Sequence, residues 1–178
     1  MHHSLSTGHL LSPLVREDRQ AIFEHLQERA IYERTLLIPW PYTLEHADQF
    51  IDLMAKETET HGHPLNWAIR EPTGHFIGDI GLTLGGPGRD HAAAIGYWLA
   101  KPHWGKGIVT SAVSAVVEHA FNHLQLERIA ATIFSGNAAS GRVLEKAGFQ
   151  LEAAHLRHAY RKDGRFIDGC LYARVKAP

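Results

Sequence analysis

One stretch near the middle of the sequence, residues 92–134, restricts the fold more than any other. It contains an apolar run typical of a strand (92–100), a turn with two glycines, a helical pattern from about 106 to 124, and a second strand-like run at 128–134. Apolar residues recur in the helical segment at the spacing of one buried helix face. A strand, helix and strand joined in this way form a crossover, so we expect the two strands to be parallel or near neighbours in a sheet.

The turn before this helix contains Gly105 and Gly107, which flank Lys106. Glycine lets backbone N–H groups converge on a ligand at the positive end of a helix dipole, which is the chemistry of an anion site and above all of a pyrophosphate site. A plain tight turn would use the same residue types, so both interpretations stay open. The G-x-x-x-x-G-K-[S/T] loop of P-loop nucleotide-binding proteins and the three-glycine dinucleotide fingerprint are both missing here.

Length and charge narrow the class of protein. A chain of 178 residues fits one domain, and we predict a single domain over residues 1–178. Eighteen basic against nineteen acidic side chains leave no broad electrostatic footprint for nucleic acid or an anionic membrane. Any anion site must therefore be local.

Cysteine usage and hydropathy predict a cytoplasmic protein. Cys170 is the single cysteine, so an intramolecular disulfide is impossible. No apolar run approaches the roughly 20 residues that a membrane-spanning helix needs. The N-terminal residues, MHHSLSTGHL, lack the pattern of a signal peptide.

Fourteen histidines raise the question of a metal site. They are scattered, whereas zinc sites favour clustered His and Cys ligands. His119 and His123 have helical i, i+4 spacing but project from the polar face of their helix. We therefore predict no metal and a solvated helix face.

The segments before residue 92 predict helices followed by a β-meander. Residues 9–15 look like a first strand, and Asp18 and Thr43 stand where helix N-caps are expected. Residues 66–70 and 75–84 surround the turn EPTG and predict a β-hairpin, to which the strand at 92–100 adds.

The segments after residue 134 predict a short helix and a second hairpin. Asn137 is placed to cap the helix and Gly148 to end it. The turn RKDG then lies between two strand-like runs. The whole pattern predicts an α+β fold with a buried sheet and helices beside it.

This ordered set of motifs resembles the GNAT superfamily of N-acetyltransferases, and within it the ribosomal-protein N-terminal acetyltransferases of the RimJ/RimL branch. The resemblance runs through PYTLEHADQFI, FIGDIGL, IGYWL, WGKGIVTSA, NAASGRVLEKAGF and DGRFIDGCLYAR, which together cover nearly the whole chain. It implies a three-layer α/β sandwich, in which a mixed, mostly antiparallel sheet has a splayed parallel strand pair and helices on both faces.

The resemblance implies acetyl-CoA as cosubstrate. The family's loop Q/R-x-x-G-x-G/A falls on residues 102–107. Pro102 stands where the motif has Gln or Arg, so the contacts of that side chain must be made by His103, Lys106 or the backbone. Strand Tyr97–Leu99 would pair with pantetheine, and the thioester would end near Asn137 and Ser140. The implied cofactor-binding residues are Tyr97, Trp98, Leu99, His103, Trp104, Gly105, Lys106, Gly107, Ile108, Val109, Thr110, Asn137 and Ser140.

Attack of an amine on a thioester needs an acid for the departing thiolate. Many relatives use a tyrosine at the position that Leu144 occupies here. The serine of N-x-x-S, which is Ser140, is the best replacement, since the related ribosomal-protein serine acetyltransferases are thought to use it. An ordinary serine in the first helical turn is the alternative interpretation.

The base for the amine is harder to assign, because the positions where relatives carry glutamate read Ala94 and Ala159. His158 is the best candidate, since imidazole titrates near neutral pH. The other candidates are His75, Asp79, His91, His155, Tyr160 and Asp168. An α-amine is neutral in roughly one molecule in ten at pH 7, far more often than a lysine amine, so a weak base favours a peptide N-terminus as the acceptor.

Several alternatives stay open from the sequence. The acceptor could instead be a small amine such as a polyamine or an antibiotic, and the missing tyrosine and glutamate would also suit a catalytically silent acyl-CoA-binding module. Trp40 and Tyr42 could flank the acceptor groove or be core aromatics. The oligomeric state could be monomer or homodimer.

Overall fold

The computed structural model describes residues 3–177, which form two compact units. The first unit runs up to residue 81 and includes residues 97–112; the second consists of residues 82–96 and the described residues from 113 onward. Strands β4 (Phe76–Leu84) and β5 (Ala92–Leu99) and helix α4 (Ile108–His123) each contribute residues to both units. The prediction of a single domain stays a prediction.

The first unit combines a sheet with three helices and two short 3₁₀ turns. Besides the shared elements it contains β1 (His3–Ser4), β2 (Leu10–Ser12), a 3₁₀ turn (Arg16–Asp18), α1 (Arg19–His25), α2 (Arg29–Tyr32), α3 (Leu44–His61), β3 (Asn66–Arg70) and a 3₁₀ turn (Lys101–His103). Strand β2 pairs antiparallel with both β1 and β3, and β3 pairs antiparallel with β4. The predicted hairpin of β3 and β4 is confirmed.

Helix α3 forms where the sequence signals place it. The side chain of Thr43 accepts a hydrogen bond from the N–H of His46, so the predicted N-cap is confirmed. Ala47 and Ile51 then fall on one face and are buried in a core cluster with Ile22 and Phe76. The apolar face of the helix is thus what holds it on this unit.

Asp18 occupies the predicted position before α1, but its carboxylate does not cap that helix. Instead it accepts a hydrogen bond from the N–H of Val15 at 2.9 Å and is paired with Arg70 through both guanidinium NH₂ groups, at 2.6 and 2.7 Å. The carboxylate of Asp18 thus pairs with Arg70, whose side chain is 12% exposed, instead of capping α1.

The parallel strand pair that the sequence predicts lies in the second unit. Strand β6 (Arg128–Phe134) pairs in parallel with β5, with Ala92, Ala93 and Ala94 opposite Arg128, Ile129 and Ala130. Strand β8 (Arg165–Val175) pairs antiparallel with the whole of β6 through residues 169–175, and with β7 (Gln150–Lys162) on its other side. The predicted fold class, a mixed and mostly antiparallel sheet with one parallel pair, is confirmed.

The helices of this unit also follow the sequence pattern. In α4, Val113, Val116, Val117 and Ala120 are fully buried, as their spacing predicts. Helix α5 (Ala138–Lys146) begins after Asn137, whose side chain accepts from the N–H of Ser140 at 3.3 Å. The C-cap is Ala147, one residue before the predicted Gly148, which follows with φ +83°.

No helix within residues 3–177 combines the length and the apolar character that crossing a bilayer requires.

Candidate functional site

The glycine turn, defined as residues 103–107, leads directly into α4. Gly105 and Gly107 both have φ +76°, a left-handed conformation that disfavours any larger residue. The first helical hydrogen bond runs from the N–H of Ser111 to the carbonyl of Gly107 at 3.0 Å. The N–H groups of Ile108, Val109 and Thr110 therefore precede the helical ladder, and with the helix dipole they can hold an anion.

Trp104 fastens the glycine turn to strand β5. Its indole Nε1 donates a hydrogen bond to the carbonyl of Leu99 at 2.7 Å. The guanidinium of Arg34 lies 5.3 Å from the centre of the same ring, within cation–π range. The sequence predicts Trp104 as a cofactor contact; the structure adds a bond that sets the geometry of the turn relative to Leu99.

Two basic side chains of the glycine turn differ in environment. Lys106 is exposed, whereas the side chain of His103 is only 16% exposed and its Nδ1 lies 3.9 Å from Glu71. Burial lowers the pKa of His103, and the opposing effect of Glu71 is smaller. An anion beside His103 would oppose this shift, because it favours the protonated imidazole.

The predicted pantetheine strand, Tyr97–Leu99, is supported on its β4 side. The N–H of Ala100 donates to the carbonyl of Ile77 at 2.8 Å. A Cβ added to Gly78 would lie 2.5 Å from the carbonyl oxygen of Trp98, so β4 packs directly against this backbone. The position of the strand is therefore set by β4.

Trp40 and Tyr42, the two residues predicted to flank the groove for the amine acceptor, differ in burial. Tyr42 is buried in the core cluster, and burial raises its pKa to about 12. Trp40 is 39% exposed and packs against Tyr32, with ring centres 5.6 Å apart. Tyr42 therefore has the environment of a core aromatic. Trp40 lies at the surface of the first unit, where a ligand can contact it.

In the second unit, Asn137 and Ser140 meet at the start of α5 through the capping bond. Ser140 is half-buried, and Gly141 beside it is buried against Tyr172. The hydroxyl of Tyr172 donates to Glu145 at 3.3 Å. The sequence did not predict that Tyr172 contacts α5, because the spacing of a strand residue does not show which helix its hydroxyl will reach.

His158 lies in the irregular part of β7. Its N–H donates to Asp168 at 2.8 Å and its ring stacks on Phe166, with centres 4.5 Å apart. The residue is exposed and has φ +51°, an uncommon conformation for a residue other than glycine. Its role as a base stays a prediction.

Asp79, one of the candidate bases, is buried and forms a carboxyl–amide pair with Asn66 that the sequence did not predict. Asp79 is only 6% exposed and accepts a hydrogen bond from the side chain of Asn66 at 2.9 Å. The sequence contained one signal, an acidic residue in the middle of the apolar strand FIGDIGL. The pattern alone does not say whether such a residue faces solvent.

Within residues 3–177, no three His, Cys, Asp or Glu side chains lie close enough together to hold a metal ion. His119 and His123 pack as a ring pair with centres 5.0 Å apart.

The sequence is similar to a family of acetyltransferase domains and to several bacterial proteins. Residues 9–150 match the family model described as an acetyltransferase (GNAT) domain. The uncharacterized N-acetyltransferase p20 of Bacillus licheniformis is 37% identical over 160 residues, covering 90% of this chain and 88% of that protein. The uncharacterized N-acetyltransferase YoaA of Bacillus subtilis is 36% identical over 113 residues, which cover 63% of each chain. Two other Bacillus subtilis relatives are matched over 42% and 58% of their length.

Solved structures agree on the fold. The ribosomal alpha-N-protein acetyltransferase RimL, solved in complex with coenzyme A, superposes with a TM-score of 0.84 at 20% identity, and the match covers 98% of both chains. At this identity the likeness shows the fold alone. The family match over residues 9–150 by itself shows that this chain belongs to the GNAT family of acetyltransferase domains.

Proposed function

We propose that this protein transfers an acetyl group from acetyl-CoA to a primary amine, and that its acceptor is the α-amine of a protein or peptide N-terminus. The observation that carries the proposal is the glycine turn, where two left-handed glycines precede the first N–H groups of α4. That geometry suits the pyrophosphate of coenzyme A. The RimL structure, which contains coenzyme A, supports the same cosubstrate.

The cosubstrate contacts follow from the chemistry of each residue. Backbone N–H groups from Gly105 to Thr110 bind the pyrophosphate, and the charge of Lys106 assists them, as does that of His103 once the bound anion has favoured its protonation. The backbone of Tyr97–Leu99 binds the pantetheine amides as an added strand would. No metal takes part in this scheme.

The reaction requires two proton transfers around a tetrahedral intermediate. The amine attacks the thioester carbonyl, loses a proton and expels the thiolate of coenzyme A, which gains one. We assign the proton donor to Ser140 and the proton acceptor to His158. A backbone N–H of β5 stabilises the oxyanion.

The acceptor assignment depends on the weakness of the base. An α-amine is neutral in roughly one molecule in ten at pH 7, so it needs little help to become a nucleophile. No ionised carboxylate stands at Ala94 or Ala159, where a strong base would be expected. RimL, an alpha-N-protein acetyltransferase, has the same fold, which supports this acceptor.

Thiol release from acetyl-CoA tests the proposal directly. The acceptors to compare are N-terminal peptides, the same peptides with a blocked N-terminus and a free lysine, free amino acids, and a polyamine. We expect release with unblocked N-termini and little with the blocked peptides. Release with none of the acceptors, alongside measurable binding of coenzyme A, would favour the silent acyl-CoA-binding module.

The glycine turn can be tested with a matched pair of variants. Gly107→Val places a side chain at the proposed pyrophosphate and should weaken coenzyme A binding strongly. Gly164→Val is the control, because Gly164 has a similar φ of +74° and open surroundings in the hairpin of β7 and β8. Equal affinity of the two variants would show that the pyrophosphate binds elsewhere.

Ser140 can be tested in the same assay. Ser140→Ala should lower kcat by roughly 10²-fold or more if the hydroxyl is the proton donor. Ser135→Ala, which removes an exposed hydroxyl of the same unit, is the control. An unchanged kcat in Ser140→Ala would assign Ser140 a structural role.

A further inference from the structure

The carboxyl–amide pair of Asn66 and Asp79 leaves two buried oxygens without a partner. Asp79 Oδ1 accepts a hydrogen bond from Asn66 Nδ2 at 2.9 Å. Asp79 Oδ2 and Asn66 Oδ1 are both buried and have no hydrogen-bond partner among the described residues. Buried polar atoms are rarely left unpaired, because removing them from water without a replacement hydrogen bond is destabilising. These two atoms therefore need an explanation.

A proton on the carboxyl group of Asp79 would give both Asp79 Oδ2 and Asn66 Oδ1 a hydrogen-bond partner. An ionised carboxylate and an amide oxygen are both acceptors, so neither can satisfy the other. A protonated carboxyl group has an O–H donor beside its carbonyl oxygen, and an amide has an N–H donor beside its own oxygen. The two groups can then share two hydrogen bonds in one ring, of which the Nδ2 to Oδ1 bond is the first.

We propose that Asp79 carries a proton at neutral pH and donates it to Asn66 Oδ1, and that this neutral pair positions strand β5 for the cosubstrate. Asp79 is in this account a positioning residue, since it acts through the backbone of β4 and β5. The second half of the proposal depends on the proposed acetyl-CoA site, whereas the protonation of Asp79 does not.

The surroundings of the pair favour the neutral form. Burial raises the pKa of Asp79 from its ordinary value of 3.8 to about 7, and the hydrogen bond from Asn66 opposes this only in part. Tyr42 faces Asp79 from the segment before α3, and the charge of Asp18 raises the pKa further although Arg70 pairs with it. No cation stands beside Asp79 among its hydrogen-bond partners in residues 3–177.

Gly81 shows that the fold makes room for the amide. Gly81 is opposite Asn66 in the β3–β4 register. A Cβ added to Gly81 would lie 2.5 Å from Asn66 Nδ2, so any side chain there would displace the amide from Asp79. The close fit fixes Asn66 in the orientation that donates to Asp79.

The link to β5 passes through Gly78, the neighbour of Asp79 in β4. Its would-be Cβ lies 2.5 Å from the carbonyl oxygen of Trp98 and 3.0 Å from the Cα of Leu99. The ring of Trp98 also packs on Phe76, with centres 5.7 Å apart. An ionised and unpaired Asp79 would strain β4 at the point where it supports the proposed pantetheine strand.

Infrared spectroscopy and unfolding measure the protonation without any activity. The wild-type protein near neutral pH should show the C=O stretch of a carboxylic acid, and Asp79→Asn should lack it. The amide introduced by this substitution imitates the protonated acid, so we expect Asp79→Asn to unfold at higher denaturant concentration than wild type above about pH 8.

Asp18→Asn is the matched control for the unfolding experiment, because Asp18 is equally buried but ion-paired with Arg70. It should unfold at lower denaturant concentration than wild type. A loss of stability in Asp79→Asn like that in Asp18→Asn, or an infrared spectrum without the acid band, would overturn the proposal.

Coenzyme A affinity tests the positioning role. Between about pH 6 and pH 8.5 the wild type should lose affinity severalfold more than Asp79→Asn does, because only wild type gains the buried charge. His103 and the phosphates titrate alike in both proteins, so they cancel in the comparison. Parallel pH profiles would refute the positioning role. If neither protein binds coenzyme A, the proposed cosubstrate site fails, while the infrared result still decides the protonation.

Discussion

Two aspartates of the first unit are buried to the same degree and have opposite surroundings. Asp18 is 5% exposed and Asp79 is 6% exposed. Asp18 receives two hydrogen bonds from the guanidinium of Arg70 and one from the backbone of Val15. Among residues 3–177, the side chain of Asp79 receives one hydrogen bond, from the neutral amide of Asn66.

The difference shows that burial alone does not decide the charge of a carboxyl group. A buried carboxylate costs several kcal/mol unless a cation and further donors compensate it. Asp18 has both, so its charge ties the segment before α1 to β3. Among the described residues, Asp79 has no paired cation and one donor, the amide of Asn66, so keeping a proton costs less free energy than ionising, and the group then responds to pH.

The largest effect is expected at the ion pair. Arg70→Met would leave Asp18 buried without its cation and should lower the free energy of unfolding by about 3–5 kcal/mol. Arg16→Met is the control, since Arg16 also pairs with aspartates but is 57% exposed, and such surface pairs are worth about 0–1 kcal/mol. Chemical denaturation measures both. Equal losses would show that the Asp18 pair contributes no more than a surface pair.

The pH dependence of stability comes next in size. The pKa of Asp79 is raised in the folded state, so its stabilising contribution is full below about pH 3.8 and is lost as the pH rises towards 7. Each unit of pKa difference corresponds to about 1.4 kcal/mol. Unfolding free energies of wild type minus those of Asp79→Asn should fall over this window and level off above it. A flat difference would contradict the raised pKa.

A smaller loss is expected when the amide is removed. Asn66→Leu would take away the donor to Asp79 Oδ1 and should cost about 1–3 kcal/mol at neutral pH. Combining it with Asp79→Leu removes both polar groups, and the double variant should recover part of the loss. A double-mutant cycle by chemical denaturation measures the coupling. Strict additivity would mean that the two side chains do not interact.

The smallest effect is expected at Tyr42. Burial raises its pKa to about 12, and the charge of Asp79 adds to this. Asp79→Asn removes that charge, so the phenol of Tyr42 should titrate at slightly lower pH than in wild type, as ultraviolet absorbance can follow. Asp18→Asn should leave this titration unchanged. An unaltered Tyr42 titration in Asp79→Asn would show that Asp79 carries no charge at high pH.

Local signals in the sequence were sufficient to predict most of the helices and strands of the fold. Helical periodicity located α4, Thr43 and Asn137 marked two helix starts, and turn residues located both hairpins. These features depend on neighbours within a few positions, so a single sequence contains them. The glycine turn was predicted for the same reason.

The environment of individual side chains was decided by tertiary structure. Asp18 occupied the predicted cap position but bonded to Arg70, which is 52 residues away. Tyr42 was buried in the core cluster, and Trp104 bonded to Leu99. None of these contacts follows from spacing, because each joins residues that only the packed elements bring together.

The sequence by itself determined the strand–helix–strand crossover and the glycine turn, and its match over residues 9–150 determined the family of the chain. The tertiary structure alone decided which acidic residue is charged. Asp18 and Asp79 have the same side chain and the same burial, and they differ only in what the neighbouring strands and turns place beside them. A pKa depends on those through-space neighbours, and no local pattern in the sequence specifies them.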